Sequence, residues 1–251
     1  MEKQVDILIV GAGISGIGIA AHLTKNNPKR KFDIIERRAS FGGTWDLFKY
    51  PGIRSDSDMS TFGFNFKPWR KANVLADGES IKGYIGEVVD EYKLKDKIHF
   101  NHRVLAANYD SSTKKWHVQI EDANQKIQTW IANFVLGCTG YYNYDQGFQP
   151  DFPNQEAFKG QLIHPQFWPE NLDYAGKKVV IIGSGATAIT LVPAMAKGGA
   201  GHVTMLQRSP TYIASIPSID FVYDKTRKFM SEDLAYKFTR ARNIGMQRGI
   251  F

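Results

Sequence analysis

The sequence predicts an α/β fold in which one doubly wound, three-layer unit is used twice, and three observations carry that expectation. Residues Val5 to Val10 form a continuous apolar run that opens directly into Gly11, Gly13 and Gly16, spaced G-x-G-x-x-G. Lys178 to Ile182 repeat the arrangement and open into Gly183, Gly185 and Ala188. Each glycine turn leads into a helical stretch and then a second strand-like run, Lys31 to Glu36 and His202 to Gln207. Apolar runs without alternation belong to parallel strands buried on both faces, and a strand, helix, strand unit of that kind winds right-handed.

The elements follow in order. Ile14 to Lys25 reads as the first helix, stopped by Asn27 and Pro28. Residues 42 to 60 are turn-rich and polar with embedded aromatics. Phe62, Phe64 and Phe66, ending in Trp69, alternate with period two, which reads as one face of a core strand or the lining of an apolar channel. Val104 to Asn108, Trp116 to Ile120 and Thr129 to Leu136 are expected to form a small antiparallel β insert at about 103–137. A linker rich in proline and aromatics precedes the second unit, whose helix is expected at Thr187 to Ala196. Past Arg208 only a helix from about Ser231 is expected. The domains are read as 1–148, a linker at 149–172, and 173–251. The second unit lacks the strands that a doubly wound domain needs, so the chain is expected to be a fragment with its C-terminal part missing.

Composition narrows the function classes. With 251 residues, 43% hydrophobic and 23% charged, the chain can bury a sizeable core. A single cysteine, Cys138, leaves no disulfide framework and no dithiol redox pair, which suits a cytoplasmic setting. The six histidines are scattered, so no metal site is expected. The apolar stretch from Ile7 to Ala21 is broken by Gly11, Gly13, Ser15 and Gly16 and falls short of the roughly 20 residues of a membrane span. Much of the net charge of +7 sits in 222–251, with Lys225, Arg227, Lys228, Lys237, Arg240, Arg242 and Arg248. A solvated helix face is the preferred reading; no nucleic-acid partner is expected, peripheral membrane association stays open, and nothing in the sequence sets the oligomeric state.

The glycine turns specify their ligands. After a buried strand and at the start of a helix, such a turn lets the backbone approach a pyrophosphate. Glu36, at the end of the next strand, can accept hydrogen bonds from an unphosphorylated ribose and would repel a 2′-phosphate, so the first site wants FAD or NAD. In the second unit Arg208 lies 25 residues after Gly183, as Glu36 lies 25 after Gly11. A guanidinium there favours NADPH over NADH. Ala186, Thr187 and Ser209 complete that site, with Thr187 and Ser209 equally readable as caps. Two dinucleotide sites in one chain imply electron transfer from nicotinamide to flavin.

Two longer motifs carry a family resemblance. Gly43-Thr44-Trp45 with Tyr50-Pro51-Gly52 and Asp56 is similar to the G-x-W-x₄-[FY]-P-G-x₃-D pattern of Baeyer-Villiger enzymes. Phe158, Gly160, His164, Trp168 and Pro169 resemble F-x-G-x₃-H-x₃-W-P. Cys138-Thr139-Gly140 is similar to the A-T-G segment where the chain crosses between domains. The sequence thus resembles the class B flavin monooxygenases, most nearly the bacterial long-chain alkane members. The resemblance implies two Rossmann-like domains, FAD then NADPH. It also implies reaction through a peroxyflavin that NADP⁺ protects, with O₂ and a small apolar organic substrate as partners. Ketone oxidation is the preferred chemistry, with N- or S-oxygenation, or a nucleotide-binding fragment without activity, as alternatives.

By the same resemblance, Ser15, Gly43, Thr44, Trp45, Tyr50, Val104, Thr139 and Gly140 join the first glycines and Glu36 around FAD. Asp56 is the candidate for a residue near flavin and nicotinamide, with loop capping as its alternative. His164 is expected to be a hinge or structural histidine. The arginine that supports Baeyer-Villiger chemistry is expected beyond Phe251.

Overall fold

The structure, a computed structural model, describes residues 3–213 and 215–250. The chain is divided into two compact units, Met1–Leu47 with Glu79–Pro153 and Phe48–Gly78 with Asn154–Phe251. The segment 48–78 therefore packs with the second half of the chain, although it lies inside the stretch expected as the first domain.

In the first unit, β1 (Lys3–Val10) leads through the glycine turn into α1 (Ile14–Asn26) and on to β2 (Phe32–Ile35), which lies parallel to β1 with Val10 opposite Ile35. α2 (Thr44–Leu47) is a single turn. Between Asp77 and Tyr92 runs α4 (Gly78–Glu91), which the sequence reading passed over. Its buried residues Ile81, Tyr84, Ile85, Val88 and Val89 recur at helical spacing. The sheet is completed by β3 (Ile98–His99), β4 (Arg103–Asp110), β5 (Lys115–Glu121) and β6 (Ile127–Gly137), in the order β3-β2-β1-β6-β5-β4.

The three strands expected as a small antiparallel insert do pair antiparallel, β4 with β5 and β5 with β6, and they continue this sheet. β6 is 11 residues long, and it pairs antiparallel with β5 over 127–132 and parallel with β1 over 130–137. Its length lets one strand serve both partners. The core follows suit: Val118, Ile120, Trp130 and Ala132 cluster with Val5, Leu8 and Ile35, so the hairpin shares a core with the parallel strands.

In the second unit, β7 (Lys178–Ile182), α5 (Ala186–Lys197) and β8 (His202–Leu206) form a parallel pair with its crossover helix. The remaining helices are α3 (Met59–Phe62), α6 (Phe221–Thr226) and α7 (Glu232–Ile250). The period-two aromatics do not form a strand. The Asp58 carboxylate accepts a hydrogen bond from the Thr61 amide and starts α3, and Phe64 and Phe66 stack in the turn after it, ring centroids 4.9 Å apart. Nor are all the basic residues of α7 on a solvated face. Arg240 Nη1 donates to the carbonyls of Ser60 and Gly63, and Arg242 pairs with Asp220. Among the described residues no helix is long and apolar enough to cross a membrane.

Candidate dinucleotide sites

The two glycine turns are near-superimposable in their dihedral angles. Gly11 and Gly183 have φ of +109° and +125°. Gly13 and Gly185 are extended, at φ −77°, ψ −173° and φ −76°, ψ −177°, and each begins its helix. The amide of Gly11 donates to Ile35 O and that of Gly183 to Leu206 O, both at 2.8 Å.

The glycines of the first turn have different reasons to be glycine. A Cβ on Gly11 would stand 2.3 Å from the carbonyl oxygen of Cys138, and one on Gly16 would stand 1.9 Å from that of Gly11. Both belong to the packing of β1, α1 and the end of β6. At Gly13 the backbone is extended, and a Cβ would make only ordinary contact, 3.5 Å from Gly43 Cα. At Gly185 it would meet nothing within 4 Å. The fold's own contacts leave room for a side chain at these two positions, and a backbone without a Cβ there suits the close approach of a ligand.

Around the first turn lies a cavity of about 410 Å³ at the C-terminal ends of the strands, where open α/β sheets bind ligands. Gly11, Gly13, Ser15, Glu36, Gly43, Thr44, Trp45, Val104, Thr139 and Gly140 line it. Glu36 is 4% exposed, and its two carboxylate oxygens accept from the amides of Ala12 (2.8 Å) and Arg38 (2.9 Å). One lone pair per oxygen remains for ribose hydroxyls, which is the fit an unphosphorylated ribose needs. Gly43, at φ +58°, crosses the turn so that a Cβ on it would lie 3.0 Å from Gly13 Cα. Burial pushes the Cys138 thiol above its ordinary pKa, which keeps it a neutral wall residue.

Sequence reasoning missed part of this wall. Arg37, His102, Arg103, Tyr142, Asn143 and Tyr144 also line the cavity. The signal was present, since Arg37 follows β2, Tyr142, Asn143 and Tyr144 follow β6, and His102 and Arg103 stand at the start of β4. Close by, Asp46 is buried and accepts from Lys82 Nζ (2.6 Å) and Arg38 Nε (2.8 Å). Burial raises the Asp46 pKa, and these two cations more than offset it, leaving the carboxyl below its ordinary range.

In the second unit the strand pairing corrects one equivalence. Val10 lies opposite Ile35, 25 residues on, whereas Ile182 lies opposite Leu206, 24 residues on. The crossover is one residue shorter, so Gln207, not Arg208, occupies the place of Glu36. A neutral amide there removes the repulsion of a 2′-phosphate, and exposed Arg208 follows it directly. Thr187 does not cap α5, whose N-cap is Gly185 without a side-chain bond. Ser209 offers its carbonyl to the Ser184 hydroxyl at 3.2 Å.

Tyr50 and Asp56 are in the second unit and are not among the residues that line the first cavity. Tyr50 is buried edge-on to Phe48, with centroids 5.8 Å apart. Asp56 is exposed, and the loop-capping role belongs to Asp58. Gly52 has a structural reason: at φ +84°, a Cβ would stand 2.5 Å from Thr190 O of α5. His164, expected as a hinge or structural histidine, accepts at Nδ1 from the Gln166 amide at the start of a short turn. No group of three or more potential metal ligands occurs among the described residues.

The flavin-binding monooxygenase-like family model matches residues 2–231. The chain belongs to this family. Within it, the chain is 82% identical over all 251 residues to the probable FAD-binding monooxygenase AlmA of Acinetobacter baylyi, covering 50% of that protein. It is 56% identical over 245 residues to the FAD-containing monooxygenase EthA of Mycolicibacterium smegmatis, covering 97% of this chain and 49% of the relative. The chain thus spans about half the length of the curated relatives it matches. Among solved structures, a cyclohexanone monooxygenase from Rhodococcus sp. Phi1 bound to NADP⁺ matches with a TM-score of 0.75 and 26% identity, over 99% of this chain and 44% of the other. An oxidised steroid monooxygenase bound to NADP matches with a TM-score of 0.76 and 27% identity, over 94% of this chain and 43% of that one.

Proposed function

We propose that this chain binds FAD in the first-unit cavity and NADPH at the second glycine turn. On this reading it supplies the electron-delivering half of a monooxygenase that inserts one atom of O₂ into a small apolar organic substrate. The observation that carries the reading is the pair of glycines at 13 and 185, which the fold leaves unexplained and a pyrophosphate explains. The family supports it, since the relatives are named for FAD and the solved structures for NADP.

The side chains divide the work. Glu36 holds the adenosine ribose of the first cofactor through its free lone pairs, and the amides at the start of α1 face the phosphates. Gln207 admits the 2′-phosphate of the second cofactor and Arg208 neutralises it. FAD, when bound, supplies the oxygen chemistry that no side chain of this chain supplies. Half-buried, neutral Cys138 adds no competing nucleophile to the wall.

For the substrate, we favour a ketone, cyclic or long-chain, converted to an ester. The ketone named in a solved neighbour and the Baeyer-Villiger pattern around Trp45 support this choice. The test is product analysis on a chimera that completes this chain with the remaining half of the Acinetobacter baylyi relative, supplied with FAD, NADPH and air. A 2-ketone should give an ester. Sulfoxide or N-oxide from a sulfide or amine, with no ester, would move the assignment to N- or S-oxygenation on the same scaffold.

A further inference from the structure

The segment after β6 folds back over the first cavity and is held there by charge. Asp145 accepts from both Nη atoms of Arg37, which follows β2, and from Arg103 Nη2 at 3.2 Å, at the start of β4. One carboxylate thus ties together three separate stretches of the cavity wall. The aromatic ring of Tyr144, one residue earlier, lies 5.6 Å from the Arg37 guanidinium and 5.9 Å from that of Arg38.

This arrangement sends the Tyr144 hydroxyl to the glycine turn. Its oxygen is 3.7 Å from the point where a Cβ on Gly43 would stand, and that point is 3.0 Å from Gly13 Cα. Among the described residues the hydroxyl makes no hydrogen bond, although the ring is half-buried and lines the cavity. Burial first, and the nearby Glu36 carboxylate second, raise its pKa, so the phenol keeps its proton and is a donor. A donor that lines the cavity and stands beside the glycine turn is placed to meet an acceptor of a ligand bound there.

We infer that Tyr144 is a further binding residue of the first dinucleotide site, donating its hydroxyl to the pyrophosphate, and that Asp145 is the positioning residue that holds it there through Arg37 and Arg103. The inference rests on the proposed FAD site and deepens it. Asp145 itself does not touch the ligand. Its effect is electrostatic and exposed to solvent, so added salt weakens it.

The experiment is fluorescence titration and stopped-flow release of FAD from the 251-residue chain, with ADP as competing probe, for the unaltered chain, Tyr144→Phe, Asp145→Asn and Asp145→Glu. Tyr144→Phe should release FAD about tenfold faster and weaken ADP to the same degree, since both carry the pyrophosphate. Asp145→Asn should speed release about threefold at low salt, the difference closing at 0.5 M salt, while Asp145→Glu retains the unaltered rate. Loss of FAD affinity without loss of ADP affinity would overturn the pyrophosphate assignment. Tighter binding by Tyr144→Phe would make the side chain an obstruction and overturn it too. An Asp145→Asn effect that ignores salt would reduce Asp145 to a structural part. If the unaltered chain binds neither FAD nor ADP, the proposed site itself fails, and the inference with it.

Discussion

At the scale of single residues, the glycines separate into those the fold needs and those a ligand needs, and substitution should tell them apart. Gly16→Ala drives a methyl into the carbonyl of Gly11 and should cost about 2 kcal/mol of stability by overpacking. Gly13→Ala should cost less than about 1 kcal/mol, as a poorer helix cap, yet weaken FAD strongly. Thermal unfolding without cofactor and FAD titration measure the two effects; equal destabilisation by both substitutions would contradict the distinction. The second turn offers a parallel test. Gln207→Glu restores the carboxylate that the first site carries and should lower the preference for NADPH over NADH at least tenfold, read from nucleotide dissociation constants. The sequence offered Glu36 and the glycines directly, because spacing after a buried strand fixes them. It misaligned Arg208 with Glu36, because a one-residue difference in crossover length is visible only in strand pairing.

At the scale of elements, Asp46 joins α2, the stretch after β2 and α4 through Arg38 and Lys82. Its folded pKa lies below the ordinary 3.8, so its contribution is complete above about pH 4 and is lost as the pH falls through the lower folded value. Asp46→Asn should lower stability at pH 7 by about 2 kcal/mol and flatten the acid limb of the stability profile below pH 4. A mutant that loses stability equally at pH 7 and pH 3 would contradict this. Elements whose pattern was local were legible: β7 was placed residue for residue, and α1, α5 and α7 to within a residue or so. α4 was missed although its buried positions recur at helical spacing. Phe62, Phe64 and Phe66 misled because alternation says nothing of Asp58 capping α3 or of Gly63 ending it. The role of β6 as the shared strand was not legible, since pairing with β1 joins residues more than 120 apart.

At the scale of the molecule, two copies of one turn geometry stand in two compact units, each of which has supplied reasons of its own for its glycines. Gly52 ties the tyrosine, proline, glycine motif to α5 within the second unit. Gly52→Ala, at positive φ and against a carbonyl, should therefore destabilise that unit by about 2 kcal/mol or more. Proteolysis resolved by fragment would show Phe48–Gly78 and Asn154–Phe251 becoming sensitive before the first unit. The central claim, that the first cavity holds FAD, is tested most directly by one measurement: the visible absorption spectrum of the 251-residue chain after incubation with excess FAD and desalting, beside that of Gly13→Trp. The account predicts a flavin spectrum retained by the unaltered chain and absent from the variant, whose indole fills the space left at the turn. Flavin retained equally by both, or by neither, would contradict it.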